Sequence, residues 1–140
     1  MIKQLSIFLE NRAGALARIT ELLAQNEIDL RALFIAETTD YGVLRVIVSD
    51  AEKAVGVLKN NGVLVEVNEV LGISVPDKPG GLAEVLKLLS DNGIDVAYMY
   101  SMFGKNDKKA HMIFRVADNA KMEKVLGENG IMTESADDLK

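Results

Sequence analysis

The chain has 140 residues, a formal net charge of −5, 49% hydrophobic residues, one histidine and no cysteine. The lack of cysteine excludes disulfides and thiolate sites, and the acidic balance disfavours binding to nucleic acid, which rewards basic surfaces. No apolar run approaches the ~20 residues that cross a membrane, and no signal peptide is recognised, so we expect a cytoplasmic protein that contacts neither nucleic acid nor membrane.

The first half of the chain predicts six elements from the spacing of its apolar residues, which is two in strands and about 3.6 in helices. In chain order these are a strand at Ile2–Leu9, a helix at Gly14–Gln25, strands at Ile28–Thr38 and Val43–Val48, a helix at Ala51–Asn60 and a strand at Val63–Val67. Asp50 is placed to cap the second helix. The predicted order is βαββαβ.

The second half predicts the same order. Its elements are a strand at Val70–Val75, a helix at Gly80–Ser90, strands at Ile94–Phe103 and His111–Val116, a helix at Ala120–Glu128 and a strand at Ile131–Glu134. Asp118 is the expected cap of its second helix. The turn predicted at Gly104–Lys109 is two residues longer than its counterpart, so after it each residue of the first half matches the residue 68 positions further on.

A direct repeat underlies this likeness. The windows Glu10–Leu30 and Pro76–Val96 align without a gap and have eight identical residues in common. The identical pairs are Gly14/Gly80, Leu16/Leu82, Ala17/Ala83, Leu22/Leu88, Leu23/Leu89, Asn26/Asn92, Ile28/Ile94 and Asp29/Asp95. A repeat of this length sets the structural unit at about half the chain, and we assign two domains, residues 1–67 and 68–140.

Two βαββαβ units predict an α+β protein. Right-handed crossovers give each unit a ferredoxin-like fold, with a four-stranded antiparallel sheet and both helices on one face. Units of this size are close to the lower limit for an independent core, so we expect the two to pack side by side. Several strands are apolar on both faces, which indicates a second covering layer and favours a homodimer.

The residues that stand out for chemistry lie between the first strand and the first helix of the second half, in the segment Asp77-Lys78-Pro79-Gly80-Gly81-Leu82. Asp77 is placed to accept hydrogen bonds from the free N–H groups of the first helical turn. The two glycines leave main-chain N–H groups uncovered, and such a nest binds carboxylate or phosphate. The alternative is that the segment is only a helix-entry turn, since these residue types are common in turns.

A βαββαβ unit with the pattern D-x-P-G-x-L at this junction, and with N-G-I-D-V after the helix, resembles an ACT domain. The second half matches the motif in full, at Asp77, Pro79, Gly80 and Leu82. The first half keeps the glycine and the leucine of the motif but has Asn11 for the aspartate and Ala13 for the proline. The resemblance covers essentially the whole chain as a tandem pair, and it implies a ferredoxin-like module that binds amino acids and regulates metabolic enzymes.

The resemblance also implies a ligand site where two units meet, between the helix-entry loop of one unit and the second strand of its neighbour. The implied ligand-binding residues are Asn11, Arg12, Ala13, Gly14 and Ala15 in the first half and Asp77, Lys78, Pro79, Gly80 and Gly81 in the second. The second site is favoured, because Asn11 lacks the negative charge that would bind an ammonium group. Arg12 and Lys78 stand at matching positions, either as a clamp for a ligand carboxylate or as solvated loop cations.

Other side chains give little sign of catalysis. Tyr98 and Tyr100 alternate on the second strand of the second half, either as a ligand wall or as sheet packing. His111 begins the next strand without evident carboxylate or thiol companions, which disfavours a metal site. We recognise no nucleophile–base pair and no pair of acids, so no catalytic residue, metal or cofactor is expected. RNA binding through the sheet would require aromatic central strands and a basic surface, which the sequence lacks.

The leading functional hypothesis is a free-standing regulatory protein that binds a small amino acid and signals by associating with a metabolic enzyme. The alternative is a ligand-independent structural or regulatory subunit of an amino acid biosynthetic enzyme, similar to the small subunit of acetolactate synthase. The partial motif in the first half supports this alternative. The expected partners are therefore a small-molecule amino acid, a second copy of the chain and a metabolic enzyme.

Overall fold

A computed structural model describes residues 1–37, 40–103 and 107–139 of the chain. Thr38, the last residue of a predicted strand, and residues 104–106 of the predicted turn at Gly104–Lys109 lie outside the described residues. The chain divides into two compact units. The N-terminal unit comprises residues 3–68, and the C-terminal unit comprises residues 69–138 together with residues 1 and 2.

The N-terminal unit has the βαββαβ order that its sequence predicts. Its elements are β1 (Ile2–Glu10), α1 (Ala15–Gln25), β2 (Leu30–Glu37), β3 (Tyr41–Val48), α2 (Ala51–Asn60) and the first residues of β4 (Val65–Pro76). The strand order is β2-β3-β1-β4, and β3 pairs antiparallel with both β1 and β2. In the β1–β3 ladder, Leu5 lies opposite Val46 and Glu10 lies opposite Tyr41.

The C-terminal unit repeats this arrangement. The remainder of β4 is followed by α3 (Gly81–Asp91), β5 (Val96–Ser101), β6 (Lys109–Val116), α4 (Asn119–Glu128), β7 (Thr133–Glu134) and a short 3-10 helix at Ala136–Leu139. The strand order is β7-β4-β6-β5, and the pairs are antiparallel. In the β4–β6 ladder, Leu71 lies opposite Phe114 and Pro76 lies opposite Lys109. The predicted α+β, ferredoxin-like fold is therefore confirmed.

Most strand bounds differ from the sequence prediction by one or two residues, and the junction between the two halves differs in kind. The strands predicted at Val63–Val67 and Val70–Val75 are parts of a single strand, β4. Asn68 and Glu69, which join them, contain neither glycine nor proline, so nothing in the local sequence ends the strand. The side chain of Asn68 also accepts a hydrogen bond from Ser6 Oγ on β1 at 2.8 Å, which holds the middle of β4 in an extended conformation.

Each unit has its own apolar core, built from strand and helix residues at matching positions. The N-terminal core includes Leu5, Ile7, Ile19, Leu23, Leu44, Val46 and Leu58. The C-terminal core includes Leu71, Ile73, Val85, Leu89, Phe114, Met122 and Leu126. Across the described ranges, no helix is long and apolar enough to cross a membrane.

The helices begin in two different ways. The side chains of Asp50 and Asp118 cap α2 and α4 as predicted, accepting from the Lys53 N–H at 3.1 Å and the Lys121 N–H at 3.0 Å. A cap of this kind contributes about 1 kcal/mol. By contrast, α1 and α3 start after a glycine and have no side-chain cap. Their first turns are therefore the helix ends at which main-chain donors are left for other partners.

Candidate functional site

The two helix-entry loops have the same main-chain conformation. Gly14 precedes α1 with φ of 88°, and Gly80 precedes α3 with φ of 89°. Both angles lie in the left-handed region, which an L side chain adopts only with strain. The glycine common to the two motifs is thus required by the turn.

The loops also share their hydrogen bonds. The Arg12 N–H donates to the Glu10 carbonyl at 2.9 Å, as the Lys78 N–H does to the Pro76 carbonyl. The N–H of the first helical residue turns back onto the loop in both: Ala15 donates to Arg12 O at 3.4 Å in one, and Gly81 to Lys78 O at 3.1 Å in the other. The N–H group of Gly81, one main-chain donor of the predicted nest, is therefore used within the loop.

Three donors at each helix start stay open. Of the hydrogen bonds among the described residues, none is donated by the N–H groups of Gly14, Leu16 or Ala17, nor by those of their counterparts Gly80, Leu82 and Ala83. The first main-chain bonds that return to the glycine are donated by Arg18 and Glu84, at 3.0 and 3.1 Å. The open amides lie at the positive ends of the helix dipoles, where anions are stabilised.

The predicted role of Asp77 as a helix cap is wrong. Gly80, three residues later, takes the cap position of α3, and no side chain caps that helix. The carboxylate of Asp77 therefore lies in an exposed loop, where it is accessible to solvent and to a ligand. The turn formed by Lys78 and Gly81 displaces Asp77 from the helix start.

The structure places the predicted residues on the two loops in similar environments. Residues 11–14 and 77–80 are exposed, Ala15 is half-buried and Gly81 is buried. Gly81 packs so closely that an added Cβ would lie 2.2 Å from the Pro76 carbonyl oxygen. Ala15, at the matching position, carries such a Cβ, and its turn bond is 0.3 Å longer than that of Gly81 (3.4 against 3.1 Å).

A cavity of about 350 Å³ opens beside the first of these loops, within the N-terminal unit. Of the five predicted residues in that loop, Arg12 and Ala15 line it. The rest of its wall comes from the end of β1, the first turns of α1, the start of β3 and the connection between α2 and β4. The volume is at the lower end of the ~300–1,000 Å³ range of small-molecule sites.

Two guanidinium groups lie at this cavity. Arg12 Nε forms an ion pair with Glu10 at 2.8 Å, and Arg18 Nη2 donates to the main-chain oxygen of Asn61 at 2.8 Å. Each contact uses part of a guanidinium that has five N–H donors. Arg18 is a residue that sequence reasoning missed, although its place four residues after Gly14 sets it above the helix-entry loop.

An aromatic pair completes the wall. The rings of Phe8 on β1 and Tyr41 on β3 are 6.4 Å apart at a tilt of 50°, and both residues line the cavity. This pair is not predictable from sequence spacing, because it depends on the β1–β3 register. Tyr98 and Tyr100 on β5 also stack, at 6.4 Å and 27°, and the burial of Tyr100 favours sheet packing over a ligand wall.

His111 has carboxylate companions that the sequence analysis did not find. Its Nε2 lies 2.9 Å from both oxygens of Asp107, and its Nδ1 contacts Oε1 of Glu134. Asp107 comes from the turn before β6, and Glu134 comes from β7. The fold brings both carboxylates to His111, although no sequence pattern connects the three residues. Since the carboxylates contact the two ring nitrogens, on opposite sides of the ring, they form a clasp around the imidazole of His111. Among the described residues no group of three side chains could hold a metal ion.

The clasp makes stability depend on pH. Burial of His111 lowers its pKa, but the hydrogen bonds and negative charges of Asp107 and Glu134 outweigh burial, so the pKa is raised above the usual 6.5. A raised pKa stabilises the fold fully below pH 6.5, and this contribution is lost as the pH rises through the folded-state pKa. The free energy of unfolding is therefore expected to fall as the pH increases from 6.5.

The variant His111→Gln should lack this fall, because glutamine keeps a hydrogen-bonding side chain but does not titrate. Urea unfolding followed by circular dichroism, between about pH 6 and about pH 9, measures the slope. The chain has one histidine and no cysteine, so few other groups titrate in this interval. An unchanged slope in His111→Gln would show that the clasp does not control the pH dependence.

The model of the family described as "ACT domain pair" matches residues 1–139. The solved structure of protein BT0572 from Bacteroides thetaiotaomicron is 46% identical, with a TM-score of 0.92 over 99% of this chain and 94% of that chain. No curated protein matches the sequence.

Two more distant structures show the same fold. The regulatory subunit of aspartate kinase from Thermus thermophilus, in its ligand-free form, is 12% identical, with a TM-score of 0.65 over 90% of this chain and 91% of that chain. The corresponding subunit from Thermus flavus is 12% identical, with a TM-score of 0.59 over 90% of each chain. The resemblance inferred from the two helix-entry motifs is confirmed: the chain belongs to the ACT domain pair family.

Proposed function

We propose that this protein is a regulatory tandem ACT-domain protein, which binds a small amino acid and acts by associating with a metabolic enzyme rather than by catalysis. Its two ACT domains are residues 1–67 and 68–140. The observation that carries the proposal is the repeated helix-entry loop, in which three main-chain donors of each helix start are open. The fold is also that of two aspartate kinase regulatory subunits, which is compatible with a regulatory role.

The loops suit the two charged ends of an amino acid. Open amides at a helix start bind a carboxylate through hydrogen bonds and the helix dipole. An exposed acidic side chain beside them, such as Asp77, attracts the ammonium group. The ligand-binding residues proposed are those of the two loops, Asn11, Arg12, Ala13, Gly14, Ala15, Asp77, Lys78, Pro79, Gly80 and Gly81. That the ligand lies where ACT units meet, and that the chain forms a homodimer, remain predictions.

Isothermal titration calorimetry against the twenty amino acids tests the ligand. We expect saturable heat with at least one of them, from protein whose circular dichroism shows a folded state. If the folded protein gives no heat with any amino acid, the alternative of a ligand-independent subunit replaces the proposal.

Association with an enzyme is tested separately. A ligand regulates an association only if it binds the free and associated states with different affinity. Co-purification from the native cell extract, with and without the amino acid identified by calorimetry, should therefore yield a metabolic enzyme in amounts that depend on the ligand. A partner whose yield is the same in both conditions would contradict ligand control.

A further inference from the structure

The two units differ at the end of the sheet where the cavity of the N-terminal unit opens. Their ladders are in the same register: Glu10 lies opposite Tyr41 in one unit, and Pro76 lies opposite Lys109 in the other. Lys109 is therefore the structural counterpart of Tyr41. This equivalence allows the wall of the cavity to be compared position by position between units of the same fold.

The charges at the cavity of the N-terminal unit cancel. Its charged lining residues are Glu10, Arg12, Arg18 and Asp40, two of each sign. A ligand that carries one positive and one negative group, and no further charge, matches such a lining. A ligand with a net charge would carry one charged group that this balanced lining does not neutralise.

The remaining wall is apolar and open to solvent. Tyr41 is 45% exposed and Leu64 is 68% exposed, and both line the cavity together with Phe8. Large apolar side chains exposed around one cavity indicate a surface that a ligand covers. The tilted Phe8–Tyr41 pair provides a wall for an aliphatic or aromatic group.

The matching positions of the C-terminal unit have different chemistry. Ser74 replaces Phe8, Lys109 replaces Tyr41 and Lys108 replaces Asp40, while Glu84 stands for Arg18. With Lys78 at the place of Arg12, these positions carry three positive charges and one negative charge. The aromatic pair and the balance of charge are thus properties of the N-terminal unit alone.

We infer that the cavity of the N-terminal unit, between its helix-entry loop and the Phe8–Tyr41 pair, binds a free amino acid with an uncharged apolar side chain, and that the matching positions of the C-terminal unit do not bind this class of amino acid. Arg18 and Arg12 add positive charge to the carboxylate site of the helix-entry loop, Glu10 and Asp40 attract the ammonium group, and Phe8, Tyr41 and Leu64 cover the side chain. This inference rests on the proposed function, and it places an apolar amino acid in the unit with the incomplete motif.

Calorimetry with leucine, phenylalanine, aspartate and lysine as probes tests the ligand class. We expect leucine or phenylalanine to bind at least about tenfold more tightly than either charged amino acid, because a charged side chain must give up hydration against an apolar wall. Preference for aspartate or lysine would overturn the inference while leaving the proposed function intact.

Variants locate the site. Arg18→Ala removes the charge that binds the carboxylate, and Tyr41→Lys introduces the residue of the C-terminal unit at an exposed position that does not support the core. Each should weaken binding at least about tenfold, whereas Arg18→Lys should retain part of the affinity. The matched controls Glu84→Ala and Lys109→Ala, at the same positions of the C-terminal unit, should bind as the wild type does.

The outcomes separate the two proposals. Wild-type affinity in both Arg18→Ala and Tyr41→Lys would overturn this inference, and losses in the C-terminal controls would then indicate an amino acid sensor that uses its other unit. Absence of binding by every amino acid to the folded wild type would overturn the proposed function itself. Circular dichroism of each variant confirms that a loss of affinity is not a loss of fold.

Discussion

Replacing Phe114 by alanine is expected to lower the free energy of unfolding of the C-terminal unit by about 3–5 kcal/mol. Phe114 is on β6, opposite Leu71 of β4, and its side chain is fully buried. It belongs to the core formed with residues of α3 and α4, among them Leu89 and Met122. Truncation removes a ring from the centre of this core and leaves a cavity that rigid strands cannot fill.

Hydrogen exchange measured by mass spectrometry suits this test, because it reports on each unit of the chain separately. We expect faster exchange in β6 and in the part of β4 that pairs with it. The matched control is Val46→Ala, since Val46 occupies the same register position in the N-terminal unit, opposite Leu5, and is equally buried. Valine loses fewer atoms, so the control should cost less, about 1–3 kcal/mol.

Equal effects of the two substitutions would contradict this reasoning. They would mean that the core of the C-terminal unit closes around the missing ring, and that burial of Phe114 contributes no more than burial of a valine. A larger effect in Val46→Ala would assign the more tightly packed core to the N-terminal unit.

The fold was predictable because the same pattern of apolar residues occurs in both halves of the chain, so each half predicts the βαββαβ order independently. The window from Glu10 to Leu30 and its partner carry the same helical stripe, and the same glycine stands before each helix. The apolar spacing that predicted the helix Gly14–Gln25 includes Ile19 and Leu23, and the structure buries both. Local chemistry also placed the caps Asp50 and Asp118, because a cap acts on its own helix.

Features that depend on the surroundings of a residue were less accessible. The strands predicted on either side of Asn68 are continuous in β4, and a hydrogen bond from Ser6 on another strand supports the chain at this point. Asp77 carries the residue type of a cap, but the left-handed Gly80 takes the cap position. Residue types alone do not give the φ angle of Gly80, and this angle decides whether Asp77 or Gly80 takes the cap position.

The clasp at His111 shows the same limit more strongly. Asp107 is four residues away, in the turn before β6, but Glu134 comes from β7, at the far end of the unit. Glu134 reaches the ring of His111 because β7 and β6 both pair with β4. This pairing brings the second carboxylate to the ring that Asp107 already contacts. The cavity wall is similar, since Phe8 and Tyr41 meet through the β1–β3 ladder.

The substitution Gly81→Ala is expected to destabilise the C-terminal unit by about 2–3 kcal/mol and to open its helix-entry loop. An added Cβ would lie 2.2 Å from the carbonyl oxygen of Pro76, well inside van der Waals contact. That oxygen already accepts the Lys78 N–H at 2.9 Å, so it cannot move without weakening the turn. The N-terminal unit shows the accommodated form, in which Ala15 has the longer turn bond.

The reciprocal variant Ala15→Gly is the matched control. It removes a Cβ where the loop already has room, so we expect a cost of about 0.5–1 kcal/mol from the greater freedom of glycine in the unfolded chain. Urea unfolding followed by circular dichroism gives both values, and hydrogen exchange of the amides from Lys78 to Glu84 reports the opening of the loop. Gly81→Ala with wild-type stability would mean that the turn relaxes freely. Glycine at this position would then reflect close approach by a ligand rather than packing against Pro76.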